Sequence, residues 1–480
     1  MQLDNSYQAL PEDFYKAQLP DHIKTPRLRV FNKKLAQTLN LPLDLSEAGL
    51  AEIFSGNKLL KGSKPIALAY AGHQFGHFSP SLGDGRAVLL GEVLDKKKQK
   101  FDLQLKGSGP TFFARRGDGR YPLGPAIREY IISEAMHHLR VPTTRSLALI
   151  TTGEFVQRET LMPGAILTRV AESHIRIGTF EYFSARGDYK NLKILADYAI
   201  DRHYPICKNH KAPYLSFFRK VLQNQAKLVS SWLSIGFIHG VMNTDNTAIS
   251  GQTLDYGPCA FIDEYQRDAS FSFIDKAKRY SFTNQRDIIL WNLAKLAEAL
   301  LPLIDNDTKQ AIAIVTKELN SFNKYFDQCY SKKMSQKIGL FDTQENDAEL
   351  ISEFLQILEN NQADFTINFR SLSTALETGE HLMKNSEYEH WVKKWKKRII
   401  QQTLSVDVII NKMNKINPLY IPRNHITQDI IQKSLETNNF NDMQNFLKIL
   451  KNPFKEQANS KYYQTPPNQS QKVQHTFCGT

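Results

Sequence analysis

The sequence predicts an α+β protein of two lobes, with an N-terminal arm before them and a helical extension after them. Three observations carry this. Strand-like segments dominate the first part of the chain, up to GAILTRVA, and helical patterns dominate the remainder. A long helical pattern, SFFRKVLQNQAKLVSSWLSIGFIHG, runs directly into a polar loop at His239. That loop, HGVMNTDNTAISGQTLDYGP, holds Asp245, Asn246 and Asp255 around short strand and turn signals. The order is not the βαβα alternation of a Rossmann sheet.

In chain order, residues 1–65 read as an irregular arm with short helices, interrupted by Pro11, Pro20, Pro26 and Pro42. Asn32 to Leu41 is an amphipathic helix stopped at Pro42, and a second helix runs from a Ser46 cap to Gly56. Residues 66–170 form the β-rich lobe. AVLLGEVL is a buried strand, Lys96 to Lys100 a solvated hairpin tip, and FDLQLK a strand with Phe101, Leu103 and Leu105 on one face and Lys106 on the other. Pro125 to Arg140 is a helix with Ile127, Ile131, Ala135 and Leu139 as its apolar stripe and Glu129 on a neighbouring face. VPTTRSLALITTG, EFVQRETL and GAILTRVA are three strands. Residues 171–305 form the mainly helical lobe, and residues 306–480 alternate helices with Asn- and Gln-rich connections before an extended tail.

The loop carries the chemistry. Thr247–Ile249 and Thr253–Leu254 are expected to pair about a turn at Gly251. Asn246 then precedes a small hairpin and Asp255 lies just after it. An Asn oxygen and an Asp carboxylate are hard ligands suited to Mg2+ or Mn2+ beside phosphates. Lys106 on a strand and Glu129 on the next helix make an ion pair that can reach a nucleotide. The order Lys, Glu, Asn, Asp is that of a two-lobed protein-kinase-like site. One part departs from it. Where such enzymes place a catalytic Asp after His-Gly, this chain has Val241, which accepts no proton; the nearest acid is Asp245. The bland alternatives are a polar surface turn and a local salt bridge.

Two Gly-Asp-Gly turns, each followed by Arg, bring Gly83, Gly85 and Arg86 and then Asp118, Gly119 and Arg120. Glycine-exposed N–H groups and arginines suit phosphate. Arg169 and Arg176 fall at the boundary between the lobes. LKGSG puts its Lys before the glycines, unlike a Walker A loop.

The chain has 480 residues, 41% hydrophobic and 23% charged, with a net charge of +12. Its mean hydropathy is −0.42 and its pI about 9.2. No apolar run approaches a membrane span, and the first residues lack the pattern of a secretory signal, so a cytoplasmic protein is expected. The positive charge suits nucleotide phosphates or nucleic acid; the aromatics fit core stripes better than a nucleic-acid groove. The four cysteines show no CxxC pair and suggest neither a zinc site nor a disulfide scaffold.

The motifs GHQFG, LGDGRAVLLGE, DLQLKGSG, RRGDGR, IREYIISEAMHHL, PTTRSLAL, HGVMNTDN, LDYGP and INPLYIPRNH occur in one order and strongly resemble the SelO family, also called YdiU-like. The resemblance implies a kinase-fold pseudokinase that moves AMP from ATP onto Ser, Thr or Tyr hydroxyls of proteins. It implies a flipped nucleotide, with pyrophosphate as leaving group. On matching motifs, Gly83, Gly85, Arg86, Lys106, Asp118, Gly119, Arg169 and Arg176 are the implied nucleotide contacts and Glu129 the partner of Lys106. Asn246 and Asp255 are the implied ligands of Mg2+ or Mn2+, and Asp245 the proton acceptor. The partners implied are protein substrates, the chain itself among them, with no nucleic acid and no membrane; a monomer is the simplest expectation. Eukaryotic relatives place selenocysteine near the C-terminus, where this chain has Cys478. Some bacterial relatives link that position to a cysteine downstream of DYGP; here QRDASFSFIDK has none, and Cys259 is the nearest candidate. The rivals are a phosphotransferase moving the γ-phosphate, a non-catalytic ATP sensor, and a basic RNA-binding protein.

Overall fold

The computed structural model describes residues 3–41, 44–342, 344 and 346–477; Pro42 and Cys478, both singled out in the sequence, lie outside them. The described chain is a mixed α/β fold. Its strands are β1 (Tyr15–Ala17), β2 (Arg27–Phe31), β3 (Ile66–Leu68), β4 (Gly72–Gln74), β5 (His77–Ser79), β6 (Ala87–Leu94), β7 (Lys100–Lys106), β8 (Tyr121–Pro122), β9 (Arg145–Gln157), β10 (Leu161–Ala171), β11 (Phe237–Ile238) and β12 (Ala260–Phe261). The main sheet runs β1-β3-β6-β7-β10-β9-β2, with β8 against β10. The arm is therefore less irregular than its prolines suggest. Its two short strands close opposite edges of the sheet, which covers unpaired backbone groups there.

Helix α1 (Lys33–Thr38) is shorter than the pattern predicts: Asn32 caps it by accepting from the Leu35 N–H at 3.1 Å, and the chain leaves the helix through Asn40 at φ 53°. Helix α2 (Glu47–Ser55) has the predicted ends. Ser46 accepts from the Gly49 N–H at 3.2 Å, and Gly56 closes it at φ 92°. Helix α3 (Leu123–His138) is buried on almost every side rather than along one stripe. Its apolar residues Ile127 and Ile131 share a core with Leu149, Leu167, Ile430 and Phe446, so the sheet covers one side and C-terminal helices the other. Two of the three strands expected after it are one. Arg145–Gln157 runs unbroken through Gly153, which at φ 76° bulges without ending the pairing.

The helical part comprises α4 (Ile177–Ser184), α5 (Tyr189–His203), α6 (Pro213–Ser234), α7 (Gln285–Ile304), α8 (Thr308–Lys337), α9 (Asp347–Asn360), α10 (Phe365–Glu377), α11 (Ser386–Ile400), α12 (Val406–Asn414), α13 (Asn424–Thr437) and α14 (Asn441–Leu450). Leu293, Leu296 and Leu300 of α7 are fully buried. Helix α6 ends at the turn into β11, which pairs with β12 as Phe237↔Phe261 and Ile238↔Ala260. These two short strands close the base of the polar loop, and no strand signal marks them in the sequence. The expected hairpin inside the loop reduces to a bridge between Thr247 and Thr253, preceded by a 3-10 turn at Thr244–Asn246. The loop residues spend their backbone groups elsewhere, on Pro142, Ile175 and Arg176.

The C-terminal region braces this assembly. Buried Arg423 donates to Asp263 and, at 2.8 Å, to Asp364, and Asn424 exchanges two hydrogen bonds with the Phe261 backbone. The tail is docked rather than free. Thr476 bridges to Ser272 and its hydroxyl donates to the Pro258 carbonyl at 2.7 Å. No helix among the described residues is long and apolar enough to cross a membrane.

Burial, then the charge of Arg202, pushes His203 down to about 3 from its ordinary 6.5. The neutral ring is the folded form, so its contribution to stability is present above about pH 6.5 and is lost as pH falls toward 3. Thermal unfolding followed between pH 7 and 4 is expected to show a falling midpoint. His203→Gln should flatten that slope.

Candidate active site

The site begins on one face of the sheet. Alternation along β7 turns Leu103 and Leu105 into the core and Gln104 and Lys106 to the other face. Arg169 of β10 pairs with Gln104 in register and shares that face. Glu129 approaches from α3. Lys106 Nζ donates to Glu129 Oε2 at 2.7 Å and to Asp255 Oδ1 at 2.9 Å. Arg169 repeats this with Nε on Glu129 Oε1 at 2.6 Å and Nη2 on Asp255 Oδ1 at 2.9 Å. Tyr121 donates to Glu129 Oε2 at 2.8 Å and lies beneath the Lys106 ammonium. Two cations and two carboxylates thus close a buried ring of opposite charges. Such a cluster is stable only when each member is paired.

The charges respond accordingly. Burial pushes the Glu129 and Asp255 carboxyls up, but Arg169 and Lys106 outweigh it and hold both below the usual range. Burial, then neighbouring Arg169, lowers Lys106. Asp255 Oδ1 also accepts its own neighbour's N–H, from Tyr256 at 2.8 Å. Oδ2 takes no hydrogen bond from the described residues. Asn246 spends its Nδ2 on the Val241 carbonyl at 3.2 Å, which turns Oδ1 the other way. The amide oxygen of Asn246 and Oδ2 of Asp255 are therefore hard oxygen donors available to a cation. Among the described residues no group of three or more His, Cys, Asp or Glu forms a metal cluster. A two-ligand protein set suits Mg2+ or Mn2+, which keep water and substrate phosphate for the remaining positions.

The start of the loop is shaped by packing. Gly240 sits at φ 79°, where a Cβ would lie 2.6 Å from the Pro258 carbonyl. His239 is buried and neutral, pushed by burial down to about 4. Val241 lines the cavity with an apolar side chain. Asp245 is buried, and burial raises its carboxyl to about 6. Its Oδ2 accepts from Gln74 Nε2 at 3.2 Å.

The glycine turns form the roof. Gly83 at φ 65° leaves the room that the Phe113 ring occupies, and Gly119 at φ 65° lets Pro110 approach. Asp84 is more than the turn residue its motif suggests, since it anchors the first turn. Its Oδ2 accepts from Gln104 at 3.0 Å and from the Leu68 N–H at 3.3 Å, and its Oδ1 meets Arg176 at 3.4 Å. Arg176 lies over the Tyr70 ring at 4.2 Å, and Arg86 over Tyr121 at 4.8 Å. Asp118 is turned to Arg158, at 2.8 Å, on the exposed side of the second turn. One cavity of about 800 Å³ is lined by Gly83, Gly85, Arg86, Lys106, Asp118, Gly119, Arg169, Arg176, Asp245, Asn246 and Asp255. Glu129 alone of the expected set stands behind the wall, holding Lys106 and Arg169. Gln74 and Asn243 also line the cavity, although residue type and spacing do not single them out. The GHQFG motif is the one sequence signal that could have pointed to Gln74.

Cys259 is a buried free thiol, pushed up by burial to about 12, so it is held as the inert thiol.

A cleft of about 800 Å³ lined by cations and opposed acids suits phosphate-ester chemistry. Comparison with known proteins makes this specific. The family model described as protein adenylyltransferase SelO matches residues 1–451. The chain is 48% identical to "Protein nucleotidyltransferase YdiU" of Maridesulfovibrio salexigens, over all of this chain and 98% of that protein. It is 46% identical to the proteins of the same name from Bacillus cereus strain G9842 and Agrobacterium fabrum, covering 98% and 100% of them. The chain belongs to the SelO family and is a nucleotidyltransferase with protein adenylyltransferase activity.

Replacing Glu129 by Leu leaves two buried cations facing one carboxylate. Loss of one partner from such a cluster costs about 3 kcal/mol or more. Urea unfolding of Glu129→Leu is expected to show that loss.

Proposed function

We propose that this chain transfers the adenylyl group of ATP to Ser, Thr or Tyr hydroxyls of proteins, within a two-lobed kinase-like fold whose lobes are residues 66–170 and 171–305. The observation that carries the reading is the buried ring of Lys106, Arg169, Glu129 and Asp255 opening into the same cavity as Asp245. The reading takes the chain to act as a cytoplasmic monomer, with its own hydroxyls among the acceptors.

Arg86, Arg176, Lys106 and Arg169 offset the triphosphate charge. The first glycine turn contributes shape rather than donors, because the N–H groups of Gly83, Asp84 and Gly85 are spent on backbone carbonyls. Asn246 and Asp255 would hold Mg2+ or Mn2+, which supplies further charge neutralisation at the phosphates. Asp245 orients the acceptor hydroxyl and takes its proton. The hydroxyl oxygen bonds to the α-phosphorus, the bond from that phosphorus to the bridging oxygen breaks, and pyrophosphate leaves with its electron pair. Val241 separates this from a γ-phosphate transferase, since the position of the usual base carries no acid.

ATP labelled separately at the α- and γ-phosphates tests the reading, with a general protein acceptor and mass spectrometry of the products. Label is expected only from the α position, as an added AMP. It should vanish in Asp255→Ala and fall at least tenfold in Asp245→Ala with ATP affinity kept. Transfer of γ label would replace the reading by a kinase, and ATP binding without any transfer by a sensor.

A further inference from the structure

The GHQFG motif is a dense stretch of the sequence that neither the charged ring nor the glycine turns explain. It forms the hairpin of β4 and β5, paired as Gly72↔Ser79, His73↔Phe78 and Gln74↔His77. Its two-residue turn is Phe75–Gly76, at φ 52° and 87°. A left-handed phenylalanine is unfavourable and persists only where its surroundings hold it. Here the Phe75 N–H donates to Asn243 Oδ1 at 3.1 Å and to the Tyr280 hydroxyl at 3.1 Å, and the two rings pack at 5.2 Å.

The hairpin then meets the loop residue by residue. Phe75 bonds to Asn243; the His73 N–H donates to Thr244 Oγ1 at 2.7 Å; Gln74 Nε2 donates to Asp245 Oδ2 at 3.2 Å. Three consecutive hairpin residues thus grip three consecutive loop residues. From the far side, His73 Nδ1 is bonded to Glu181 Oε1 of α4 at 2.5 Å, and its ring stands edge-on to Trp291 of α7 at 5.2 Å. The hairpin is itself fixed to two helices.

Gly72 completes the grip by what it lacks. A Cβ there would lie 2.8 Å from Asp245 Oδ1 and 2.9 Å from Asp245 Cβ. Asp245 Oδ1 is buried with no hydrogen-bond partner among the described residues. With Oδ1 sealed, Oδ2 is the carboxylate oxygen left to the cavity, and Gln74 is the side chain that donates to it.

We infer that the hairpin is a positioning clamp for Asp245: Gln74 orients Oδ2 toward the acceptor hydroxyl, and Gly72 provides the space in which the carboxylate lies. Gln74 is a positioning residue, acting through Asp245. The inference rests on the adenylyl-transfer reading, in which Asp245 serves the incoming hydroxyl.

The test compares full-length wild type, Gln74→Met and Gly72→Ala in AMP transfer to a protein acceptor, with ATP affinity and Tm measured on each. Gln74→Met keeps length and loses the donor. A hydrogen bond to a charged group is worth a rate factor of about tenfold or more when it orients a reacting group. Gln74→Met is expected to lose at least about fivefold in kcat with the Kd for ATP and Tm held near wild type; Gly72→Ala, whose added methyl must displace Asp245, is expected to lose at least as much with the Kd for ATP kept and a lowered Tm. The inference is overturned if either variant keeps kcat above that level, or if in Gln74→Met the ATP affinity or Tm falls in step with kcat, which marks a structural role. If wild type itself transfers no AMP, the functional reading fails first, and the clamp with it.

Discussion

The structure turns on the enclosure of four opposite charges between a sheet, a helix and a loop. Taking a lysine, an arginine and two carboxylates out of water is expensive, and only full mutual pairing offsets it. Each member comes from a different element: β7, α3, β10 and the polar loop. The four elements must therefore dock in one arrangement for any of the charges to be satisfied. Asp255 is the member that keeps one oxygen free of hydrogen bonds, so the same ring that joins sheet to loop opens into the cavity.

Around that ring the fold supplies two kinds of restraint. Glycines at Gly83, Gly119 and Gly240 let neighbouring backbone or rings come closer than any side chain allows. Buried polar side chains then pin the loops so created. Asp84 joins the first glycine turn to Gln104 and Arg176, and Gln285 holds the loop's start through the His239 N–H at 2.9 Å. Irregular backbone beside a ligand cavity is costly unless its hydrogen-bonding groups are placed in this way.

The C-terminal region belongs to this system more closely than its composition suggests. Arg423 and Asn424 bind Asp263 and Phe261, at β12 and just beyond it, and Thr476 reaches Pro258. The segment between Asp255 and Phe273 is thereby held from both the extension and the tail. A tail rich in Asn, Gln and Pro carries no periodic signal for such docking, because its contacts are single ones, such as the Thr476 bridge and hydroxyl, the Lys472–Glu264 ion pair and the Phe477 ring on Phe273, rather than one apolar face.

Much was legible in the sequence by itself. A Ser cap and a closing Gly placed the helix from Ser46 to Gly56, and alternation along FDLQLK set Lys106 opposite Leu103 and Leu105. Residue types alone marked Lys106, Glu129, Asn246 and Asp255, since ammonium, carboxylate and amide oxygen are what phosphates and hard cations require, and Val241 marked the departure from a kinase. These are local properties, written in spacing and chemistry. What only the tertiary structure decided was long-range. Arg169 joined the ring because β10 pairs with β7 in one register. Strands β11 and β12 formed, and the expected inner hairpin shrank to a bridge, because the loop found partners in Pro142, Ile175 and Arg176 instead. Gln74 met Asp245 across 171 residues of chain. Pairing between distant segments is settled by which groups can bury and satisfy one another, and no window of neighbouring residues contains that choice.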